Sequence, residues 1–186
     1  MVMTETLDDE LLVRQFSQGD DSAFDRIVKG YSADIAVLAN RLLGWSGEVE
    51  DIVQDVFLAA FLGLKKFRCE CSIKTWLFII TINKCRSYRY KRMLHIRFFS
   101  QAAAKASATG AHEEDKAQMD DETFDKVRLA VQALPLKYRE PVVLRYLQEL
   151  STDEIIRILG ISKNTLQVRL SRARKCLRKD LAELIG

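Results

Sequence analysis

The sequence has few prolines, cysteines and histidines and no long hydrophobic run. Its 186 residues include two prolines, four cysteines and two histidines. No hydrophobic run approaches the roughly 20 residues that a membrane span needs. The first residues, MVMTETLDDELL, are acidic and lack the apolar stretch of a secretory signal. These absences argue against a membrane protein and a disulfide-rich secreted scaffold, so we expect a cytoplasmic protein without membrane insertion.

Residues suited to catalysis or metal binding are also sparse. His95 and His112 are isolated, and Cys69 and Cys71 form a C-x-C pair with no second pair or histidine at zinc spacing. No glycine-rich phosphate loop or nucleophile motif occurs. We therefore expect no catalytic residue, no metal and no cofactor. A metal or thiol role for Cys69 and Cys71 is the less favoured alternative.

Charge is distributed unevenly along the chain. The formal net charge is only +3, yet residues 1–64 hold twelve acidic and four basic side chains. Residues 65–97 hold ten basic and one acidic, and residues 160–186 hold seven basic and two acidic. Two basic blocks separated by neutral or acidic sequence favour two contacts with one long polyanion. Ordinary charge heterogeneity is the alternative.

Apolar residues recur at helical spacing nearly throughout, and no segment shows a sustained period of two. The pattern predicts an all-α fold with two small helical domains, at residues 8–97 and 121–186. The stretch SQAAAKASATGAHEEDKAQMDD between them has almost no large apolar residue. It cannot bury enough surface to offset its ordering entropy, so residues 98–120 are predicted to be a flexible linker. A weak alanine-rich helix is the alternative there.

The last third has the local signals of a helix-turn-helix. Ser151 and Glu154 have capping-box spacing, Gly160 stands where a helix end needs positive φ, and Ser162 can cap the next helix. Pro141 is expected in the first turn of a helix, where N–H groups have no intrahelical partner. A tight turn followed by a basic helix indicates helix-turn-helix DNA binding.

The basic helix GISKNTLQVRLSRARKCLRKDL suits a DNA major groove. Asn164 and Gln167 can bond adenine edges, Lys163 and Arg169 can bond guanine, and the other cations can meet phosphates. A solvated basic face is the alternative, although cations at the N-terminal end gain nothing from the helix dipole. The residues predicted to contact duplex DNA are Ser162, Lys163, Asn164, Thr165, Gln167, Arg169, Arg172 and Arg174.

Two separate segments resemble the same family. LPLKYREPVVLRYLQELSTDEIIRILGISKNTLQVRLSRARKCLRKDL resembles region four of bacterial sigma factors, especially the extracytoplasmic-function group. EDIVQDVFLAAF, followed by KFRCECSIKTWLFIITINKCRSYRYKR, is similar to region two. The match covers nearly the whole chain apart from the linker and the extreme N-terminus. It implies an alternative sigma factor that binds core RNA polymerase and promoter DNA, controlled by an anti-sigma factor.

The resemblance also implies site residues. In the family, the helix matching Asp51, Gln54 and Asp55 docks on the clamp helices of the polymerase's largest subunit; an ordinary polar face is the alternative. The basic block would hold melted minus-ten DNA, since it interleaves cations with aromatic rings, and the loop Phe67–Ser72 would capture a flipped base. Trp76 is alternatively a core residue. The residues implied for this element are Arg68, Ser72, Lys74, Trp76, Asn83, Arg86, Tyr88 and Arg89.

The sequence departs from the family at two places. Cys69 and Cys71 stand where the family often has small residues, and IITIN replaces a common Arg-Ile-Ala-Arg-Asn run, which removes two expected cations. Ile79 could therefore belong to a protein interface. Two other classes stay open: an autonomous helix-turn-helix regulator that acts without polymerase, and an enzyme.

Overall fold

The computed structural model describes residues 8–44, 49–103 and 122–185, and these contain eight α-helices, one π-helical turn and no strand. The helices are α1 (Asp9–Ser17), α2 (Ser22–Leu43), α3 (Val49–Leu64), α4 (Ile73–Ala103), α5 (Glu122–Ala133), α6 (Leu136–Val142), α7 (Thr152–Leu159) and α8 (Lys163–Ile185). The π-helical turn, Val143–Leu147, continues α6. The predicted all-α fold is confirmed.

Helices α1 to α4 form the N-terminal domain. The apolar stripes of α2, α3 and α4 pack on one another around Ile35, Leu38 and Phe78, which are fully buried. Local signals set the helix ends: Leu11 N donates to Asp8 Oδ1 (3.2 Å) at the start of α1, and Gly44 ends α2 with φ 83°. Such a left-handed conformation is inexpensive only for glycine. The result is a bundle that presents α4 along one side.

Ser72 fixes the start of α4. Thr75 N donates to Ser72 Oγ (3.1 Å), as predicted for an N-cap, and Ile73 N donates to Asp9 Oδ2 (2.7 Å). The carboxylate of α1 therefore satisfies a second free N–H group at this helix end. Helix α4 then continues to Ala103, beyond residue 97. Residues 104–120, most of the linker predicted at 98–120, lie outside the described residues.

Helices α5 to α8 form the C-terminal domain, whose core includes Leu144, Ile155, Leu166 and Ala173. The predicted capping box is present, since Glu154 N donates to Ser151 Oγ (3.3 Å) and Ser151 N donates to Glu154 Oε2 (2.9 Å). The other turn signals are confirmed as well: Gly160 has φ 65°, and Thr165 N donates to Ser162 Oγ (3.2 Å).

The expected place of Pro141 was wrong. Helix α6 already begins at Leu136, so Pro141 lies past its first turn. Proline has no N–H to donate and its ring crowds the carbonyl four residues earlier. The chain widens directly after it into the π-helical turn Val143–Leu147, where Gln148 N donates to Val143 O (2.9 Å). The interruption sits at the point where α6 turns toward α7.

The two domains pack against each other. Helix α7 contacts α4, and the π-helical turn contacts α2. Arg41 Nη1 donates to the carbonyl of Leu147 across this boundary. The contact brings the basic part of α4 close to the helix-turn-helix domain.

Candidate nucleic-acid interface

The outer face of α8 carries the side chains predicted to contact duplex DNA. Leu166 and Ala173 are buried and anchor the helix to its domain. Six of the predicted residues are exposed, namely Ser162, Lys163, Asn164, Gln167, Arg172 and Arg174. Thr165 and Arg169 are half-buried, and the Thr165 hydroxyl lies 2.9 Å from Ser162 Oγ. All eight therefore lie on or beside one accessible surface at the N-terminal half of α8.

Sequence reasoning missed three residues beside this surface: Lys137, Tyr138 and Val168. They line a cleft of about 310 Å³ between α6 and α8, together with Asn164, Thr165, Arg169 and Arg172. A hydrogen bond from Arg172 lowers the pKa of Tyr138. Lys137 and Tyr138 lie well before the helix-turn-helix signals at Ser151, Gly160 and Ser162, so only the packing of α6 beside α8 brings them here.

Phe67, in the loop before α4, stacks on Trp76 in the first turn of α4. The rings of Phe67 and Trp76 lie 4.8 Å apart at 29°. A methyl group at Gly63 would lie 3.2 Å from the Trp76 ring, so α3 closely confines the indole. Trp76 is half-buried, whereas Arg68 and Ser72 are exposed. The loop thus combines an accessible cation with a rigid aromatic platform.

Lys74, Arg86 and Arg89, three of the predicted minus-ten side chains of α4, have polar partners in this structure. Lys74 Nζ lies 2.6 Å from Asp34 Oδ2. Asn83 is exposed and, with Tyr88, lines a cleft of about 450 Å³ between α3 and α4. Its floor and rim include Ile52, Asp55, Ile80, Asn83, Lys84, Ser87, Tyr88 and Lys91. The cleft pairs apolar walls with lysines at the edge, a combination suited to a base and its phosphates.

Arg86 reaches across to the C-terminal domain. Its Nε and Nη2 donate to Glu140 Oε1 (2.7 Å) and Oε2 (2.6 Å). Glu140 is only 2% exposed. This bidentate bond raises the pKa of Arg86. A two-pronged guanidinium–carboxylate contact is among the stronger polar contacts in proteins, and here it engages a residue predicted to bind DNA.

Arg139 makes a second, buried crossing between the domains. It is 5% exposed, and its Nη1 donates to Leu42 O (3.0 Å). Its Nη2 donates to the carbonyls of Gln132 and Leu134, at the end of α5. Burial, with a smaller effect of nearby Arg89, lowers the pKa of Arg139 to about 10. Arg89 Nη1 donates to the same Leu42 carbonyl (3.3 Å).

The side chains predicted for polymerase docking lie on the outer face of α3. Asp51, Gln54 and Asp55 are all exposed at its surface, and Asp55 Oδ2 lies 3.5 Å from Lys84 Nζ. Leu58 and Leu62 continue this face and are 59% and 71% exposed. The structure therefore brings the three polar residues together beside an apolar strip that sequence reasoning did not include.

The cysteines do not form a reactive or ligating cluster. Burial is the largest cause of a raised pKa at Cys69 and Cys71, and it raises the pKa of Cys85 to about 12. A raised pKa disfavours the nucleophilic thiolate. All four cysteines are free thiols. Within the part of the chain that the structure describes, no group of three or more His, Cys, Asp or Glu could hold a metal, and no helix could cross a membrane.

Known proteins match both domains. The sigma-70 region 2 family matches residues 27–93, and the sigma-70 region 4 family matches residues 124–177. SigW of Bacillus subtilis strain 168, an ECF RNA polymerase sigma factor, is 34% identical over 184 residues, which are 92% of this chain and 96% of SigW. The chain belongs to the ECF sigma factor family. The resemblance seen in the sequence is thereby confirmed.

Two solved structures align with most of the chain. CnrH in complex with the cytosolic domain of CnrY is 26% identical, with a TM-score of 0.68 over 94% of this chain and 97% of CnrH. RpoE of Bartonella quintana in complex with the anti-sigma factor NepR shares the fold, with 23% identity and a TM-score of 0.69 over 86% of this chain and 96% of RpoE. The similarity between this ECF sigma factor and CnrH therefore extends over both domains.

Proposed function

We propose that this ECF sigma factor directs core RNA polymerase to promoters by contacting two separated DNA elements, and that it has no catalytic activity of its own. The observation that carries the proposal is the presence of two cationic surfaces, on α4 and on α8, in the two domains of one sigma-family chain. Tethering two modest sites raises their effective concentration, so promoter choice depends on both elements at the right spacing.

The minus-thirty-five element is assigned to α8. Its N-terminal half presents Lys163, Asn164 and Gln167 to solvent, the end that a helix-turn-helix inserts into the major groove. Each bidentate side-chain–base contact discriminates by about 1–3 kcal/mol. Arg172 and Arg174, both exposed, are assigned to phosphate contacts that fix the position of the helix.

The minus-ten element is assigned to α4 and the loop before it. Arg68, Ser72 and Asn83 are accessible, and the cleft between α3 and α4 offers an apolar wall beside lysines. Melted DNA needs such cations along its backbone and a surface for an unstacked base. Asp51, Gln54 and Asp55 on α3 are assigned to the clamp helices of the largest polymerase subunit.

An anti-sigma factor is the expected regulator. RpoE of Bartonella quintana has been solved with the anti-sigma factor NepR, and it shares the fold of this chain. The exposed apolar strip at Leu58 and Leu62, beside the polymerase-docking side chains, is a surface that such a partner could cover. Covering it would keep the sigma factor from polymerase.

The assignment of α8 is tested by transcription from a promoter selected with the reconstituted holoenzyme. Changing Lys163 and Arg169 to alanine should abolish discrimination of the upstream element, while Lys179→Ala, an exposed cation far along the same helix, should leave it intact. Unchanged recognition by the double variant would reject α8 as the helix that recognises this element. An autonomous regulator instead predicts tight binding of a palindromic duplex by the free chain, without polymerase.

A further inference from the structure

We propose that the cavity between the two domains binds a small dissolved anion with two or more phosphoryl groups, of the size of a nucleotide. The cavity has a volume of about 550 Å³. Small-molecule sites in proteins typically occupy about 300–1,000 Å³. The walls of the cavity come from the end of α2, the middle of α4 and, in the C-terminal domain, from α5 and α6. Such a ligand is neither promoter DNA nor polymerase, so the site goes beyond the proposed function.

The lining of this cavity is strongly basic. Arg89 and Arg92 reach it from α4, and Arg139 reaches it from α6. Among the residues that the structure describes, no acidic side chain lines it. A ligand with two or more negative charges offsets such a cluster of cations. The planar guanidinium group also matches phosphate oxygens in pairs, which makes arginine the residue best suited to bind a phosphoryl group.

Arg139 is a buried cation whose charge is not offset by its neighbours. It is 5% exposed, and its two Nη atoms donate to three backbone carbonyls. The adjacent carboxylate of Glu140 is bonded to Arg86 instead. Within the described part of the chain, Arg139 Nε is a buried donor without a hydrogen-bond partner. Since a buried charge is costly unless it is paired, a bound anion would supply the partner that this side chain lacks.

A second arginine approaches the same backbone acceptor. Arg89 Nη1 donates to Leu42 O at 3.3 Å, and Arg139 Nη1 donates to it at 3.0 Å. The two guanidinium groups repel each other, and after burial this repulsion is the second cause that lowers the pKa of Arg139. A phosphoryl group bound beside both would have the reverse effect, because a nearby opposite charge favours the charged form of each arginine.

The rest of the lining suits the other part of such a ligand. Tyr88 is half-buried and Met93 is 42% exposed, so an aromatic ring and a flexible apolar side chain stand beside the arginines. Gln132 adds an amide, which can both donate and accept hydrogen bonds. The end of α2 closes in on this amide, since a Cβ at Gly44 would lie 3.0 Å from the Gln132 amide carbon. These groups suit a phosphorylated molecule that also carries a flat ring.

This cavity is separate from the cleft that is assigned to minus-ten DNA. That cleft lies between α3 and α4 and includes Asn83 and Lys91, whereas Arg89 and Arg92 line the cavity between the domains. Arg89 and Arg92 are three positions apart and so lie on one face of α4. Tyr88 borders both spaces. Helix α4 therefore presents two basic surfaces, and the one beside Arg139 is the candidate site for a dissolved ligand.

The test measures binding of inorganic pyrophosphate to the full-length free chain by isothermal titration calorimetry at constant ionic strength. We expect saturable binding at one site per chain. Arg92→Ala should weaken this binding about tenfold, because it removes a charge-assisted hydrogen-bond donor. Met93→Glu should abolish it, because the new carboxylate repels the anion and pairs with the arginines. Pyrophosphate should also raise the melting temperature of the wild-type chain as its concentration increases, since it binds the folded state.

Lys29→Ala is the matched control. It lowers the net charge by the same amount as either cavity variant, at an exposed position of α2 that does not line the cavity. It should leave the affinity for pyrophosphate unchanged. Circular dichroism melting without pyrophosphate shows whether each variant folds. Because Met93 is partly exposed and its replacement removes no polar contact, Met93→Glu decides the question if Arg92→Ala fails to fold.

Two results would overturn the proposal directly. One is the absence of saturable pyrophosphate binding, and the other is equal weakening by Lys29→Ala and the two cavity variants, which would indicate a general attraction between anions and a basic chain. The titration is then repeated in the presence of a single-stranded oligonucleotide of mixed sequence. Unchanged pyrophosphate affinity supports a site for a dissolved ligand. Displacement of pyrophosphate would show that these arginines bind DNA phosphates instead, and the site would be rejected while the proposed function stands.

Discussion

The turn between α7 and α8 depends on a single residue. Gly160 has φ 65° and its backbone N–H donates to Ile156 O (2.9 Å), which ends α7. No atom lies within 4 Å of the place where a Cβ would stand, so only backbone strain opposes a side chain. Gly160→Ala should lower the free energy of unfolding by about 1–2 kcal/mol. Urea denaturation measures this, and Gly160→Asn should cost less, because asparagine tolerates this conformation. Equal stability of the alanine variant would contradict the assignment of strain.

Residues that begin or end a helix by bonding to nearby backbone groups could be predicted individually from the sequence. Ser72, Ser151 and Gly160 act on backbone groups three or four positions away, and such chemistry leaves a fixed spacing in the sequence. Arg86 and Glu140 are 54 positions apart and belong to different domains, so no local spacing in the sequence predicts their contact. Their pairing depends on how the two folded domains pack against each other, and many residues contribute to that packing.

At the scale of elements, the capping box of α7 gives a pH dependence. Hydrogen bonds from Ser151 are the largest cause that lowers the pKa of Glu154 below its ordinary 4.5. A lowered pKa in the folded state means that the stabilisation is complete above the ordinary pKa and is lost as the pH falls through the folded value. Glu154→Gln should therefore be less stable than wild type at neutral pH, and the difference should shrink below pH 4.5. Thermal melting across this range measures it; a difference that stays constant with pH would mean that the Ser151 hydrogen bonds do not depend on the charge of Glu154.

Helix α3 carries a second prediction at this scale. Asp51, Asp55, Leu58 and Leu62 follow one another at steps of three or four and so share a face. Leu58 and Leu62 are largely exposed, and replacing both by serine should leave the fold intact. If polymerase docks on this face, the double variant should bind core polymerase about tenfold more weakly, because buried apolar side chains dominate many interfaces. Val37→Ser, another exposed apolar position, is the control for a general surface effect. Undiminished binding in competition with the wild-type chain would place the docking face elsewhere.

At the scale of the whole molecule, helical periodicity was enough to predict two small all-α domains. The roles of their surfaces came from charge and from the family resemblance, and they stay predictions. The same sequence information predicted the domains as separate bodies on a flexible linker. It could not show that Arg139, within the second domain, donates to the carbonyl of Leu42 in the first. The sequence alone does not distinguish a buried arginine from an exposed one. It also does not predict that a π-helical turn follows Pro141. Domain packing was therefore the part of the structure beyond prediction.

Salt should act differently on this packing and on DNA binding. Contacts with DNA phosphates release counterions, so promoter binding by the holoenzyme should fall steeply between about 0.05 and 0.2 M salt. The domain contacts rely on buried Glu140 and on backbone carbonyls, which dissolved ions screen much less. The radius of gyration of the free chain, measured by X-ray scattering, should therefore stay constant over the same range. Glu140→Gln should raise that radius at every salt concentration, because it weakens the contact itself. Expansion of the wild-type chain with rising salt would mean instead that exposed charges hold the domains together. The buried contact between Arg86 and Glu140 would then not be what keeps them packed.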